Sequence, residues 1–239
     1  MEKLERIAKV IAANGICSRR DAEKLIEEKK VYCNGTLVEH PSLKVSSNDK
    51  IFVDGKFVEP RKDDGIWIYY KPRGVVTTHK DPEGRPTVFE LLPKNLPRVI
   101  SVGRLDINSE GLLILTNNPA IAEYFESPKN AITRTYKVRV FGKFNDDKFH
   151  KIEKGITIDN FKYKPISYEL ISLTPNNTWV RLKLREGKNR EIRNIMEHFG
   201  LKVARLIREE YGQFSLGDLK PGKLYKVSRA VVNEVLSCL

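Results

Sequence analysis

Loop carboxylates, strand tyrosines and clustered basic residues are the side chains in this sequence that could do chemistry unaided. The most informative stretch is VGRLDINSEGLLILTNN (102–118), where Asp106 lies in a polar, glycine-bounded loop leading into the apolar run LLILT. A loop on a rigid scaffold is a good place for an active carboxylate. Position alone leaves a second reading open, because a loop aspartate is commonly a turn former or a cap. Glu110 could supply a second carboxylate for acid and base work on a glycosidic bond, but its neighbours give that pairing no support. Tyr136 in RTYKVRVFG and Arg193 in KNREIRNIMEHFG have ordinary readings of their own, as a core aromatic and a solvated helix residue. The sequence has no GxxxxGK[ST], GxGxxG or HExxH motif. Cys17, Cys33 and Cys238 form no CxxC pair, and His40, His79, His150 and His198 are scattered. A reducing cytoplasm, no disulfide framework and no metal site are expected.

These residues need elements to position them. WVRLKLRE (179–186) alternates, with Val180, Leu182 and Leu184 on one face and Arg181, Lys183 and Arg185 on the other, which predicts a strand with one core side and one basic side. RTYKVRVFG (134–142) behaves in the same way. KNREIRNIMEHFG (188–200) puts Ile192, Ile195, Met196 and Phe199 on one helical stripe ended by Gly200. IWIYY reads as a strand, and SRAVVNEVL reads as a helix capped by Ser228. Nearer the N-terminus, Leu4, Ile7, Ala8 and Ile11 predict one helix stopped by Gly15. Ser18 and Asp21 form a capping box for a second, with Ala22, Leu25 and Ile26 buried. Asn34-Gly35 between VYC and TLV predicts a hairpin, and Asp54-Gly55 after IFV another turn. A proline, a charge run and a glycine in VEPRKDDG (58–65) suggest a short linker.

The 239 residues carry 43 Lys and Arg against 31 Asp and Glu, a formal charge of +12 that points to a polyanionic partner such as nucleic acid. The excess is uneven: residues 1–60 hold 11 basic and 10 acidic side chains, so almost all of it lies in residues 61–239. With 40% hydrophobic residues the chain can bury a core. No apolar run approaches the roughly 18 residues of a membrane-spanning helix, and MEKLERIAKV lacks the apolar region of a signal peptide. Asn176-Asn177-Thr178 matches a glycosylation sequon, and without a secretory route it reads as a loop.

Motifs taken in order give a more specific reading. GICSRRDAEKLI, KKVYCNG and NDKIFVDG resemble an S4 RNA-binding domain across nearly all of residues 3–56. GRLDINSEGLLILTNN is very similar to the signature of pseudouridine synthases. YYKPRGVVTT (69–78), RTYKVRV (134–140) and EGKNREIRNIM (186–196) match that family's other motifs in order. The chain is identified as resembling the S4-bearing ribosomal pseudouridine synthases. That likeness implies an α+β protein: a small N-terminal S4 (αL-type) domain over 1–60, then a catalytic domain over 61–239 with a mainly antiparallel mixed sheet and a basic cleft.

The resemblance also implies roles. Asp106 matches the essential aspartate, Tyr136 the active-site tyrosine, and Arg193 the arginine that pairs with the aspartate. In the S4 module, Arg19, Arg20 and Lys24 would dock on RNA phosphates, although Glu5, Glu23, Glu27 and Glu28 dilute that patch. In the second domain, Lys71 would support the site or touch phosphate, Arg104 would enter the space left by a flipped base, and Lys188 and Arg190 would contact RNA. The reaction needs no redox cofactor, metal or nucleotide. NREIR (189–193) and RLIREEYGQFSL lean towards the large-subunit branch, which implies a uridine of 23S rRNA as target for a monomeric cytoplasmic enzyme, with 16S rRNA as runner-up. Two other readings are a non-catalytic rRNA-binding assembly factor and an S4-bearing tRNA ligase; the second lacks HIGH and KMSKS motifs.

Overall fold

The computed structural model describes residues 4–61, 63–174 and 177–239. Asn176 of the sequon therefore lies outside the described residues. The chain forms two compact units. The first comprises Met1–Gly65 with Asn95–Ile100 and Asn117–Pro119, and the second comprises Ile66–Lys94, Ser101–Thr116 and Ala120–Leu239.

In the first unit, β1 (Glu5–Arg6) precedes α1 (Ile7–Ala13) and α2 (Arg19–Glu27), followed by β2 (Val31–Cys33), β3 (Thr36–Leu37), β4 (Lys44–Val45), β5 (Ile51–Val53) and β6 (Lys56–Phe57). The first helix starts later than its periodicity predicts. Glu5 and Arg6 are extended and pair with Val45 and Lys44, and Leu4 is 56% exposed, so this leucine is not on the buried stripe. The capping box forms as read: the Asp21 N–H donates to Ser18 Oγ at 3.1 Å and the Ser18 hydroxyl returns a bond to the Asp21 carboxylate at 2.7 Å. Asn34 and Gly35 both adopt positive φ, at 52° and 83°, which closes β2 on β3 with the twist a two-residue hairpin needs. Ile7, Ala8, Ile11, Ala22, Ile26, Val31 and Val53 belong to one buried cluster. The expected linker is tied down within this unit. The Arg61 N–H donates to Asn14 Oδ1 at 2.9 Å, and its guanidinium reaches the carbonyls of Ala13 and Asn117.

The second unit carries β7 (Ile66–Lys71), β8 (Ile100–Ser101, which begins in the first unit), β9 (Glu110–Thr116), α3 (Pro119–Glu126), β10 (Arg134–Phe141) and α4 (Asp146–Phe149). There follow β11 (Ile156–Ile158), β12 (Phe161–Tyr163), β13 (Ser167–Leu173), β14 (Thr178–Leu184), α5 (Glu191–His198), β15 (Lys202–Tyr211), β16 (Phe214–Ser215), β17 (Leu224–Lys226) and α6 (Arg229–Leu236). The main sheet runs β13-β14-β10-β15-β9-β7-β17. Its neighbours are antiparallel except β15 and β9, which lie parallel through Ile207–Glu110 and Arg208–Gly111. Gly111 is required at this junction: its φ is +106°, and a Cβ there would stand 2.4 Å from the Arg208 carbonyl oxygen.

Strands β7 and β9 are buried along their whole length, so both of their faces are covered. In β10 and β14 burial alternates. Val138, Val140, Val180, Leu182 and Leu184 pack on Ile192, Ile195 and Met196 of α5. Helix α5 starts three residues later than its pattern suggests, because Arg190 takes a left-handed backbone with φ 51°. Ser228 occupies the N-cap of α6 without the expected side-chain bond.

Candidate active site

The loop from Gly103 to Ser109 is held almost entirely through its backbone. Lys71, at the end of β7, is fully buried, and its ammonium donates to the carbonyls of Pro72 and Asp106 at 3.1 Å and of Ser109 at 2.8 Å. Thr77 Oγ1 donates to the Leu105 carbonyl at 2.9 Å, and the Gly74 N–H donates to the Ile107 carbonyl at 2.8 Å. The Gly103 N–H donates to Glu126 Oε1 at 2.6 Å from the end of α3. Arg193, on α5, donates from Nη2 to the Asn108 carbonyl at 3.0 Å and to Ser109 Oγ at 3.4 Å. None of these bonds uses the Asp106 carboxylate. Asp106 is exposed and lines a cleft of about 740 Å³, a size suited to ligands.

Arg104, Asp106, Tyr136, Lys188, Arg190 and Arg193 all line that cleft. Tyr136 reaches it from β10, in register with Leu182 on one side and Arg208 on the other, and Leu184 and Leu206 line the same space. Arg193 departs from the expected direct pair. Among the described residues no ion pair within 4.0 Å reaches the Asp106 carboxylate, and Arg193 instead clamps the loop beside it. Burial, then repulsion from Arg190, pulls Arg193 below the ordinary guanidinium range, while attraction from Asp106 opposes both.

Lys71 corrects the expectation of a phosphate contact. Its side chain has no exposed surface and three carbonyls surround its ammonium, so it acts on the loop from beneath. Burial pushes its pKa down to about 8, against the attraction of Asp106 and Glu110. Glu110 is likewise committed: Arg205 binds it through Nε at 2.7 Å and Nη2 at 3.1 Å, and the Tyr70 hydroxyl donates to it at 3.1 Å. It is therefore not placed for acid and base work. The Lys188 ammonium is engaged by the Lys162 carbonyl and the Glu186 carboxylate. Arg19, Arg20 and Lys24 are exposed in the first unit, where Arg19 is offset by Glu23 at 3.5 Å.

Sequence reasoning missed the clamps made by Thr77 and Glu126, which are distant in sequence from the loop they hold and carry no local signal. It also missed a carboxyl pair under the basic motif. Burial first, then Glu186, pushes Glu191 up to about 8. Burial acts upwards on Glu186 as well, but bonds from the Lys164 N–H and the Lys188 side chain outweigh it and leave that group lowered. One proton therefore sits on Glu191, whose Oε2 accepts the Lys188 N–H at 3.1 Å. A group raised in the folded state stabilises most below its unfolded value, here 4.5, and that contribution is lost as pH rises to about 8. The melting temperature of wild type should fall with rising pH across that window relative to Glu191→Gln, which keeps the shape and cannot ionise; parallel curves for the two proteins would contradict the pairing.

Comparison with known proteins agrees with this geometry. The family model for RNA pseudouridylate synthase matches residues 65–198, and that for the S4 domain matches residues 5–51. The chain is 47% identical over 231 residues to an uncharacterized RNA pseudouridine synthase of Rickettsia felis, covering 97% of this chain and 100% of that one. It is 39% identical over 222 residues to ribosomal large subunit pseudouridine synthase B of Bacillus subtilis, covering 92% and 90%. A crystal structure of a pseudouridylate synthase superposes with a TM-score of 0.67 at 26% identity, over 96% of this chain and 99% of that one. With its matching S4 segment, mixed sheet and cleft-lining aspartate loop, the chain belongs to the RNA pseudouridylate synthase family.

Proposed function

We propose that this protein converts one uridine of 23S rRNA to pseudouridine in the cytoplasm, with Asp106 as the group that meets C1′ of the target. The observation that carries the reading is the disposition of the loop: partners hold its backbone at Gly103, Leu105, Asp106, Ile107, Asn108 and Ser109 while its one carboxylate is left open to a cleft lined by Tyr136 and by basic side chains. The large-subunit name of the Bacillus subtilis relative supports 23S over 16S rRNA.

The isomerisation breaks the N1–C1′ bond, turns the freed uracil and joins C5 to C1′, so no atoms are gained or lost. The Asp106 carboxylate suits the oxocarbenium-like C1′ that bond cleavage creates. Tyr136 stacks on the uracil, and its hydroxyl, which has no hydrogen-bond partner among the described residues, helps remove the C5 proton at the end. A base inside a helix cannot present C1′ and the uracil edge together, so the nucleotide is extruded into the cleft. Arg104, exposed on the loop beside Asp106, fills the space it leaves, and Arg190 meets flanking phosphates. In the first unit, Arg19, Arg20 and Lys24 dock on RNA through phosphates and shape. The whole protein acts as a monomer in this scheme.

Arg193 works through the loop. Arg193→Lys keeps the charge but loses the guanidinium Nη2 that reaches both the Asn108 carbonyl and the Ser109 hydroxyl. Single-turnover tritium release from C5-labelled uridine in rRNA should slow by about 10²-fold, the scale of a small misplacement of reacting groups, while RNA affinity changes little. An unaltered rate would remove Arg193 from the site. A wild-type protein that binds rRNA yet releases no tritium from any rRNA would favour the non-catalytic assembly factor.

A further inference from the structure

The strands that carry the cleft residues also have a second side. Residues opposite one another in register share a face, so Lys137 lies with Arg181, and Arg139 lies with Trp179 and Arg205, on the side of the sheet away from Tyr136, Leu184 and Leu206. These five side chains are half-exposed, in contrast to the fully covered β7 and β9, so this face of β14, β10 and β15 meets solvent.

Carboxylates neutralise only part of it. Arg181 is held by Glu169 at 2.8 Å and Glu209 at 3.0 Å, and Arg205 by Glu110 at 2.7 Å. Lys137, Arg139 and Lys183 have no carboxylate within 4.0 Å among the described residues. Lys137 Nζ stands 5.2 Å and Arg139 Cζ 5.8 Å from the centre of the Trp179 ring, and Arg139 Nε has no hydrogen-bond partner. One cation over an indole is a common stabilising contact. Two unpaired cations on the same ring repel each other, and an anion between them relieves that repulsion. Alternate residues of a strand lie about 6.8 Å apart, close to the pitch of phosphates along an extended nucleic-acid strand.

We infer that this open sheet face is a second RNA-contacting surface, separate from the cleft, on which Trp179 stacks a base of an unpaired segment while Lys137 and Arg139 hold its phosphates. A half-exposed aromatic flanked by cations on an antiparallel sheet is the arrangement that binds single strands without reading their sequence. An acidic protein surface would use the cations and leave the indole idle. The inference takes its ligand class from the proposed function and is otherwise independent of turnover.

The test uses the full chain and a 20-nucleotide uridine-rich single-stranded RNA. Trp67 is buried, at 6% exposure, so a change in indole emission on binding reports Trp179. RNA should quench the emission of wild type and of Asp106→Asn equally, and the quench should disappear in Trp179→Phe. Lys137→Ala with Arg139→Ala should flatten the dependence of log K on log salt by about 1.4, for two lost single-strand phosphate contacts. Circular dichroism would verify that each variant is folded. Unquenched emission together with an unchanged salt slope would overturn the inference. So would binding of poly-glutamate, in place of RNA, that depends on Lys137 and Arg139. Quenching that persists in a protein with no isomerase activity would sink the proposed function and leave this surface supported.

Discussion

Asp106→Asn is expected to lower tritium release from C5-labelled uridine in rRNA by about 10⁴-fold, the scale seen when a central catalytic group is removed, with RNA affinity and thermal stability nearly unchanged. The separation follows from the geometry. Every bond that shapes the loop goes to its backbone or to neighbouring side chains, so exchanging one carboxylate oxygen for an amide leaves Lys71, Thr77, Glu126 and Arg193 their partners. What is lost is the negative charge facing the cleft. Full turnover by the variant would defeat the assignment of Asp106, and a large fall in melting temperature would show that the carboxylate has a structural duty.

Lys71→Met should have the largest effect on stability. Methionine fills similar volume but takes the ammonium away from the carbonyls of Pro72 and Ser109 and leaves that of Asp106 with the Ser109 N–H alone. Leaving a buried acceptor unsatisfied costs about 1–3 kcal/mol, and two of them in a unit of this size lower the melting temperature by about 10 °C. Turnover should fall further than RNA affinity, because the loop carrying Asp106 loses its anchor. The pH dependence adds a sign. The lysine value falls from 10.5 in the unfolded chain to about 8 in the fold, so between these values the unfolded chain binds the extra proton and stability rises with pH. Over the same range the clamp loses a donor and activity declines. Stability and activity should therefore part company above pH 8, and Lys71→Met should show neither change. This window lies above the one set by Glu191, so the two can be read separately.

Much of this was legible in the residues, for identifiable reasons. Strand alternation, the Asn34-Gly35 turn and the Ser18 capping box are local signals, and each forms as read. The aspartate loop and its neighbours were located through ordered motifs. What failed was what tertiary contacts decide. A lysine ending IWIYYK gives no hint of burial until the run before it proves to be covered on both faces. The start of α5 moved because a bulky Arg190 takes a backbone that side-chain propensity disfavours. Glu126 and Gly103 meet only because α3 returns to the loop. The charge excess of the second part also had to be folded to be understood: the strands that bring Tyr136 to the cleft place Lys137, Arg139 and Arg181 on the opposite face.

The account is tested most directly by mapping pseudouridines in the 23S and 16S rRNA of cells that lack this protein and are then supplied with either wild type or Asp106→Asn. It predicts that one 23S uridine stays unmodified in the deleted strain, regains the modification with wild type and fails to regain it with the variant. An unchanged pattern in the deleted strain, or full restoration by Asp106→Asn, would contradict it.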